Sequence, residues 1–355
     1  MLLLILAGII LLLLGGDQLV RGASRLAETV GLPPLVIGLT VVAFGTSAPE
    51  FAVSLQAAVS GQASVSLGNV VGSNTFNVLV VLGASALIAP LAVSLRVIRL
   101  DVPLMIAASL LTWILALNGY LGRLEGAVLV IALVVWTFWL VRAGLRQDVK
   151  YSGPDSDIVR PRFNWISPLQ LIAGIGLLVL GSRWLVNGAV AIARHWGVSE
   201  LVIGLTIVAA GTSLPELVTS IMAALKGERD IAVGNVLGSN LFNIFGVLGA
   251  SAALAPKGLE ISQNAIQLDL PVMIGAAMVC LPIFFTGYRI SRGEGAVLLV
   301  WYLAYMAWIV VAAAGDHVAR TGLVSFYGFL FPLTLLGLAL SVVVVVHRNW
   351  RKRRN

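Results

Sequence analysis

Two glutamates, Glu50 and Glu216, each stand inside a long apolar segment directly after the run Gly-Thr-Ser-x-Pro. An ionised carboxylate in such surroundings is costly unless something neutralises it, which marks both as candidates for a site. Around each are hard oxygen donors: the hydroxyls of Thr46 and Ser47, then of Thr212 and Ser213, the amides of Asn77 and Asn243, and carbonyls freed by Gly and Pro. A donor set rich in oxygen and without sulfur or imidazole is suited to a hard cation.

Both glutamates belong to a duplicated stretch. Gly38 to Pro90 returns as Gly204 to Pro256 at a constant shift of 166 residues, and about 30 of the 53 aligned pairs are identical without a gap. GTSAPE (45–50) becomes GTSLPE (211–216), and GNVVGSNTFN (68–77) becomes GNVLGSNLFN (234–243). Ser73 and Ser239 follow their glutamates by 23 residues, Asn77 and Asn243 by 27. If the second and third segments form an antiparallel hairpin about Gly61 to Ser64, Glu50 and Asn77 approach each other at mid-membrane.

Plainer readings exist for each motif. A Gly-Thr-Ser run also suggests a phosphate cradle, but the Gly-Lys-Ser/Thr signature and any neighbouring Lys are missing. Asn and Ser join membrane helices by hydrogen bonds, and Gly68 with Gly72 gives a small-xxx-small spacing that favours close packing without a ligand. A dry bend explains one copy of Gly-Thr-Ser-x-Pro as well as an ion site does. Two copies with a glutamate at the same offset favour the ion site.

The elements that position these residues are read from composition. With 59% apolar and 11% charged residues and a mean hydropathy of +0.99, the 355-residue chain fits an all-α polytopic membrane protein. Its net charge of +7 comes from basic residues in the loops between apolar segments, which sets nucleic acid aside and makes the lipid bilayer the surrounding partner. Cys280 is the single cysteine, so neither an intramolecular disulfide nor a Cys/His metal cluster is available.

In chain order, the first apolar run continues from Met1 through about Gly31. A cleaved signal peptide is the alternative, but Gly15, Leu19, Val20, Gly22, Ala23, Ala27 and Gly31 recur 166 residues later, so the first helix belongs to the repeat. The second segment (Pro33 to about Val59) and the third (about Ala63 to Ala89) are both expected to be broken helices, because Pro49 and Gly45 disrupt helical bonding and the third carries GNVVGSNTFN at its middle. Helices follow over Val102 to Leu117 and Glu125 to Val141, then a polar stretch from Arg142 to Asn164. The second half repeats the plan with a helix over Ser167 to Ala193, broken helices over about Leu201 to Leu225 and Ile231 to Leu254, then helices over Leu270 to Phe285 and Gly295 to Ala314.

Five spans per half, an odd number, invert the second half relative to the first. The expected organisation is therefore residues 1–144 as the first inverted repeat, 145–165 as a cytoplasmic linker, 166–315 as the second repeat, and 316–355 as an extra helix (about Val324 to Val346) with a basic tail. Counting Lys and Arg over eleven spans places the amino terminus outside and the carboxyl terminus in the cytoplasm. Asp17, Arg21, Glu28, Arg183 and Arg194 are expected near helix ends, and Asp101 and Asp269 at helix starts, where the dipole favours them. His195, His317 and His347 fall in loops or tails, and Trp165, Trp184 and Trp196 read as interfacial anchors.

With these motifs laid out, the chain resembles the cation/calcium antiporters, whose two repeats carry G-T-S-x-P-E followed by G-N-x-x-G-S-N and a ligand residue four beyond its Ser. It is most similar to the short prokaryotic sodium/calcium exchangers, and the resemblance covers both repeats and ten of the eleven expected spans. It implies two inverted five-helix halves with ion sites at mid-membrane. By that resemblance Glu50 and Glu216 bind Ca²⁺ together with the Thr46 and Thr212 carbonyls. Ser47, Ser73, Asn77, Ser213, Ser239 and Asn243, with the carbonyls of Ala43 and Ala209, complete the Na⁺ positions. Family exchangers place an aspartate at one of the positions held here by Asn77 and Asn243, whereas this chain has an amide at both.

The sequence therefore points to a secondary antiporter exporting Ca²⁺ against Na⁺ by alternating access in a prokaryotic inner membrane. Ca²⁺ and Na⁺ are the partners, with neither a cofactor nor a protein partner indicated. The rivals are proton/calcium exchange on the same two glutamates, in which H⁺ replaces Na⁺, and a cation channel. An intramembrane enzyme lacks a paired acid/base and nucleophile.

Overall fold

In the computed structural model, the structure describes residues 1–151, 165–197, 203 and 207–314. The expected extra span and basic tail, most of the linker, and the stretch opening the second broken helix lie outside the described residues.

Long apolar helices dominate. They are α1 (Leu2–Val30), α2 and α3 (Pro34–Thr46 and Ala48–Val59), α4 (Ala63–Ile88), α5 (Val97–Ala116) and α6 (Arg123–Tyr151) in the first half. The second half has α7 (Ile166–His195), the short α8 (Ala209–Thr212), α9 (Leu214–Leu225), α10 (Arg229–Leu254), α11 (Ala265–Phe285) and α12 (Arg292–Ala314). Eight of them are long and apolar enough to cross a membrane, and the bent pair α2 and α3 adds a ninth, among the described residues. The helix expected to stop at Val141 continues to Tyr151, because no Gly or Pro breaker stands between Gly144 and Tyr151.

Burial sorts the helices into a core and a rim. The apolar window of α10 is 100% buried and that of α4 is 72% buried, against 22% to 33% for α1, α6, α7 and α12. Outward-facing side chains on the rim, among them Ile131, Val134, Phe138, Leu169 and Leu303, are apolar and exposed, as a surface facing lipid tails requires.

Only one of the two expected breaks in the first half is a break. At Ser47 (φ −82°, ψ 8°) α2 ends and α3 departs at 49°, because Pro49 cannot donate back to Gly45. The third segment, by contrast, is continuous: α4 widens into π-helical turns over Asn77–Leu82, and α10 does the same over Asn243–Leu248. With no proline in either stretch the ladder loosens without parting, and the loosened turn starts at the asparagine.

Small strands fix the relation between the halves. β1 (Leu91–Ala92) precedes α5 and β2 (Tyr120–Leu121) follows it, so the two lie at opposite ends of that helix. β1 pairs antiparallel with β4 (Arg289–Ile290), and β2 pairs with β3 (Leu259–Glu260). β3 is the repeat counterpart of β1, since DVPLM at Asp101 matches DLPVM at Asp269 just beyond each. Equivalent loops thus sit at opposite ends of the bundle.

At the rim, α1 and α7 run antiparallel in close contact through glycines seven residues apart. A Cβ added to Gly15 would lie 2.8 Å from the Leu178 nitrogen and 2.9 Å from the Gly174 oxygen, and one on Gly8 would lie 2.8 Å from the Gly181 oxygen. Backbones this close gain dispersion energy where lipid offers no hydrophobic drive. Asp17, expected toward a helix end, falls mid-way along α1 and is met there by Arg21 at 2.9 Å and Lys226 at 2.6 Å. Asp101 lies a turn inside α5, buried, with its carboxylate 4.0 Å from Arg96.

Ala92 and Glu260 are exposed counterparts in the two loops, and Cys280 is buried. Ala92→Cys and Glu260→Cys are expected to react with a membrane-impermeant maleimide from opposite faces of oriented vesicles; labelling from one face would contradict the inversion.

Candidate functional site

The bends at Ser47 and Ser213 bring the start of α3 against the start of α9 across the pseudo-twofold. Ser47 donates to Glu216 Oε1 at 2.8 Å, and Ser213 donates to Glu50 Oε1 at 2.9 Å. Each carboxylate is thus held by a hydroxyl from the other half, and both glutamates and both serines are 0% exposed. Among the described residues neither carboxylate has a basic partner.

Behind each glutamate a polar brace repeats at the same shift. Asn69 donates to the Glu50 carbonyl at 3.2 Å and to Ser54 Oγ at 2.8 Å; Asn235 donates to the Glu216 carbonyl at 3.3 Å and to Ser220 Oγ at 2.9 Å. Thr46 Oγ1 donates to Asn235 Oδ1 at 3.1 Å and Thr212 Oγ1 to Asn69 Oδ1 at 3.4 Å, so these braces also cross between halves. The hairpin partner bonded to Glu50 is Asn69, eight residues before Asn77, which the hairpin about Gly61 to Ser64 is expected to bring to Glu50. Asn77 heads the π-helical turn that packs on α9, while the turn headed by Asn243 packs on α3.

Several acceptors are left over. Glu50 Oε2, Glu216 Oε2, Ser73 Oγ, Asn77 Oδ1 and Asn243 Oδ1 have no hydrogen-bond partner among the described residues, and every one of these residues is at most 2% exposed. A buried acceptor without a donor costs about 1–3 kcal/mol, more when charged. A set of such oxygens, two of them anionic, is what a cation satisfies. No group of three His, Cys, Asp or Glu occurs among the described residues, so the donor set is carboxylate, hydroxyl and amide oxygen.

The remaining expected residues take different parts. Ser239 Oγ lies 3.5 Å from Thr46 Oγ1, and the Ala43 carbonyl accepts from the Ser47 amide at 3.0 Å and from Thr46 Oγ1 at 3.3 Å. Ala209 opens α8, one turn before Ser213.

A family model described as "Sodium/calcium exchanger protein" matches residues 1–142 and 166–311. The chain belongs to the sodium/calcium exchanger family. A putative antiporter, CaxA, of Alkalimonas amylolytica is 40% identical over 308 residues, covering 85% of this chain and 96% of that protein. The sodium/calcium exchanger MaX1 of Methanosarcina acetivorans is 32% identical over 340 residues, 86% of this chain and 97% of its own. A solved structure of the sodium-calcium exchanger NCX_Mj superposes with a TM-score of 0.72 at 31% identity, covering 87% of this chain and 96% of the other. As a family member the chain is a polytopic membrane cation antiporter and not an enzyme.

Within this exchanger fold, the residues that sequence reasoning left unassigned are Asn69, Asn235, Ser54 and Ser220. Their signal was present: both Asn follow the first Gly of GNVVGSN and GNVLGSN, and both Ser lie one turn beyond a glutamate.

The two halves differ at the rim. Pro215 frees the Gly211 carbonyl, which accepts from Ser182 of α7 at 2.5 Å; the counterpart of Ser182 in α1 is Gly16, which has no hydroxyl. Gly16 instead faces Val218 and Met222 of α9, closing that side together with the Asp17 and Lys226 pair. On the equivalent side, a cavity of about 160 Å³ lies between α3 and α7, reaching Pro49 and Thr212 beside Glu50 and Ser213.

Removing either crossed hydroxyl leaves one more carboxylate oxygen bare. Ser47→Ala and Ser213→Ala are each expected to weaken apparent cation affinity about tenfold, by the usual worth of a hydrogen bond to a charged group. Cation-dependent uptake by the two variants, compared at matched protein yield, checks this; a loss confined to one would refute the symmetric bracing.

Proposed function

We propose that the chain exchanges Ca²⁺ for Na⁺ by alternating access, exporting Ca²⁺ from a prokaryotic cell across its inner membrane, with the amino terminus outside. The observation that carries this reading is the pair of fully buried glutamates, each braced by a serine of the opposite repeat and each with a second oxygen lacking a donor among the described residues. Glu50 and Glu216 are the shared ligands. Ser47, Ser73, Asn77, Ser213, Ser239 and Asn243, with backbone oxygens at Ala43, Thr46, Ala209 and Thr212, make up the rest of the ion positions.

Exclusivity follows from charge. The two carboxylates supply minus two, which balances one Ca²⁺ or two monovalent cations but not both together. Ca²⁺ and its counter-ion therefore compete for the same oxygens, and an empty site with two bare carboxylates resists closure. The close packing of α1 on α9, against a cavity at the equivalent place between α3 and α7, supports a carrier whose two sides close in turn. The relatives named as sodium/calcium exchangers support the choice of ions.

The neutral amides at both Asn77 and Asn243 favour one rival, in which the two glutamates take protons on the return stroke. Proteoliposomes separate the two readings. Uptake of ⁴⁵Ca²⁺ is expected with an outward Na⁺ gradient at uniform pH, and uptake driven only by a pH gradient would establish the rival instead. Glu50→Gln and Glu216→Gln are each expected to abolish uptake while leaving the protein monodisperse in detergent.

With two carboxylates and no third at the site among the described residues, exchange of one Ca²⁺ for two monovalent ions moves no net charge. The initial rate is then expected to stay constant as a K⁺/valinomycin clamp is stepped, and a rate that follows the clamp would require a charge beyond Glu50 and Glu216.

A further inference from the structure

Arg183, expected near a helix end, is the eighteenth of the 30 residues of α7 and is exposed. It lines the cavity of about 160 Å³ between α3 and α7, together with Ser182, Asn187, Pro49 and Thr212. Pro49 adjoins Glu50 in the chain and Thr212 adjoins Ser213, so the cavity that holds the guanidinium reaches one of the crossed carboxylate and hydroxyl pairs. Among the described residues no carboxylate forms an ion pair with Arg183. An unmatched guanidinium this far inside a membrane helix is too costly against lipid tails, so the cavity is where water meets it.

The cavity lies on one side of the site. α3 leads from Glu50 to the turn at Gly61, and α4, which starts beyond that turn, packs on the strand that holds Glu260. Pro49, Ala52 and Val53, on the first turns of α3, line the cavity, which places it between Glu50 and the face of Glu260. The counterpart of Arg183 in the first half is Asp17. Asp17 lies by the far end of α9, where Lys226 meets it at 2.6 Å and Arg21 at 2.9 Å. Equivalent places in the two repeats thus carry opposite charges, matched in one and unmatched in the other.

We propose that Arg183 is a specificity-determining residue on the ion path: a fixed positive charge between Glu50 and the face of Glu260 that opposes each cation according to the cation's own charge. The inference rests on the reading that Glu50 and Glu216 hold the transported ion. Coulomb energy is linear in charge, so the factor by which Arg183 weakens binding of Ca²⁺ from this face is the square of the factor for Na⁺. In the orientation proposed above this is the outer face. There the charge hinders the return of Ca²⁺ more than the entry of Na⁺, which suits release of one and capture of the other.

The test reads half-maximal concentrations from the Glu260 face in proteoliposomes of one orientation, by ⁴⁵Ca²⁺/Ca²⁺ and ²²Na⁺/Na⁺ self-exchange, for the full-length wild type, Arg183→Gln and Arg183→Lys. Arg183→Gln is expected to lower the value about tenfold for Ca²⁺ and about threefold for Na⁺, and Arg183→Lys to leave both within about twofold. The differences are expected to shrink as inert salt is raised. Equal factors for the two ions, a shift as large from the opposite face, or a Lys variant that behaves as the Gln variant would overturn the role of charge. Arg183→Cys gives the same comparison within one folded protein, because Cys280 is buried. After reaction from the Glu260 face, a cationic thiosulfonate label is expected to leave the half-maximal Ca²⁺ concentration about tenfold above that with a neutral label. No reaction from that face would show that water does not reach position 183, and the proposal would fall. Should the wild type carry no Ca²⁺, the cargo reading fails by itself, and Na⁺ self-exchange on the two labelled forms decides the role of Arg183.

Discussion

Two carboxylates buried at the centre of a low-dielectric bundle, with no basic side chain against them among the described residues, set the terms for the rest of the molecule. They cannot be solvated by lipid and are not neutralised by a neighbour, so the surrounding chain must supply oriented dipoles and leave oxygens available for a mobile charge. The bends at Ser47 and Ser213, the crossed hydroxyls and the asparagines behind the glutamates answer that requirement. The burial gradient answers it too. The helices that carry the two GSN motifs, α4 and α10, are deeply enclosed, and the mostly lipid-exposed helices at the rim keep the bilayer away from them.

The braced part of this core holds one arrangement, because the crossed hydroxyls and the asparagines behind the glutamates are satisfied only there. The rim is built on different physics. Between α1 and α7 the backbones meet at glycines seven residues apart. What fastens the rim to the core differs at the two ends: a Ser182 hydroxyl on a carbonyl freed by Pro215 at one, the Asp17 and Lys226 ion pair at the other.

Much of this was legible in the chain. Glu50 and Glu216 stood out because charge in an apolar segment is expensive, and the repeat showed which hydroxyls travelled with them. The inversion followed from an odd number of spans per half. What was missed follows a pattern. Asn69 and Asn235 lie in the same motifs as Ser73, Asn77, Ser239 and Asn243, but sequence tells only that a buried amide needs partners, not whether the partner is an ion or a backbone carbonyl. The π-helical turns at Asn77 and Asn243 were read as breaks, since a one-residue loosening and an interruption leave the same trace of Gly and polar residues. Asp17 was placed by its distance along the chain, whereas its partner Lys226 comes from a helix end 209 residues away.

The crossing of hydroxyl and carboxylate between repeats says something about the history of such a fold. A five-helix half standing alone would hold a buried glutamate with no serine to meet it, and a second copy inserted the same way up would present the wrong end. Only an upside-down twin in the same bilayer would complete the site. Joining the twins in a single polypeptide guarantees equal numbers and opposed orientations. It also releases each from having to match itself, which is why Gly16 can stand opposite Ser182 in the repeat, and Asp17 opposite Arg183.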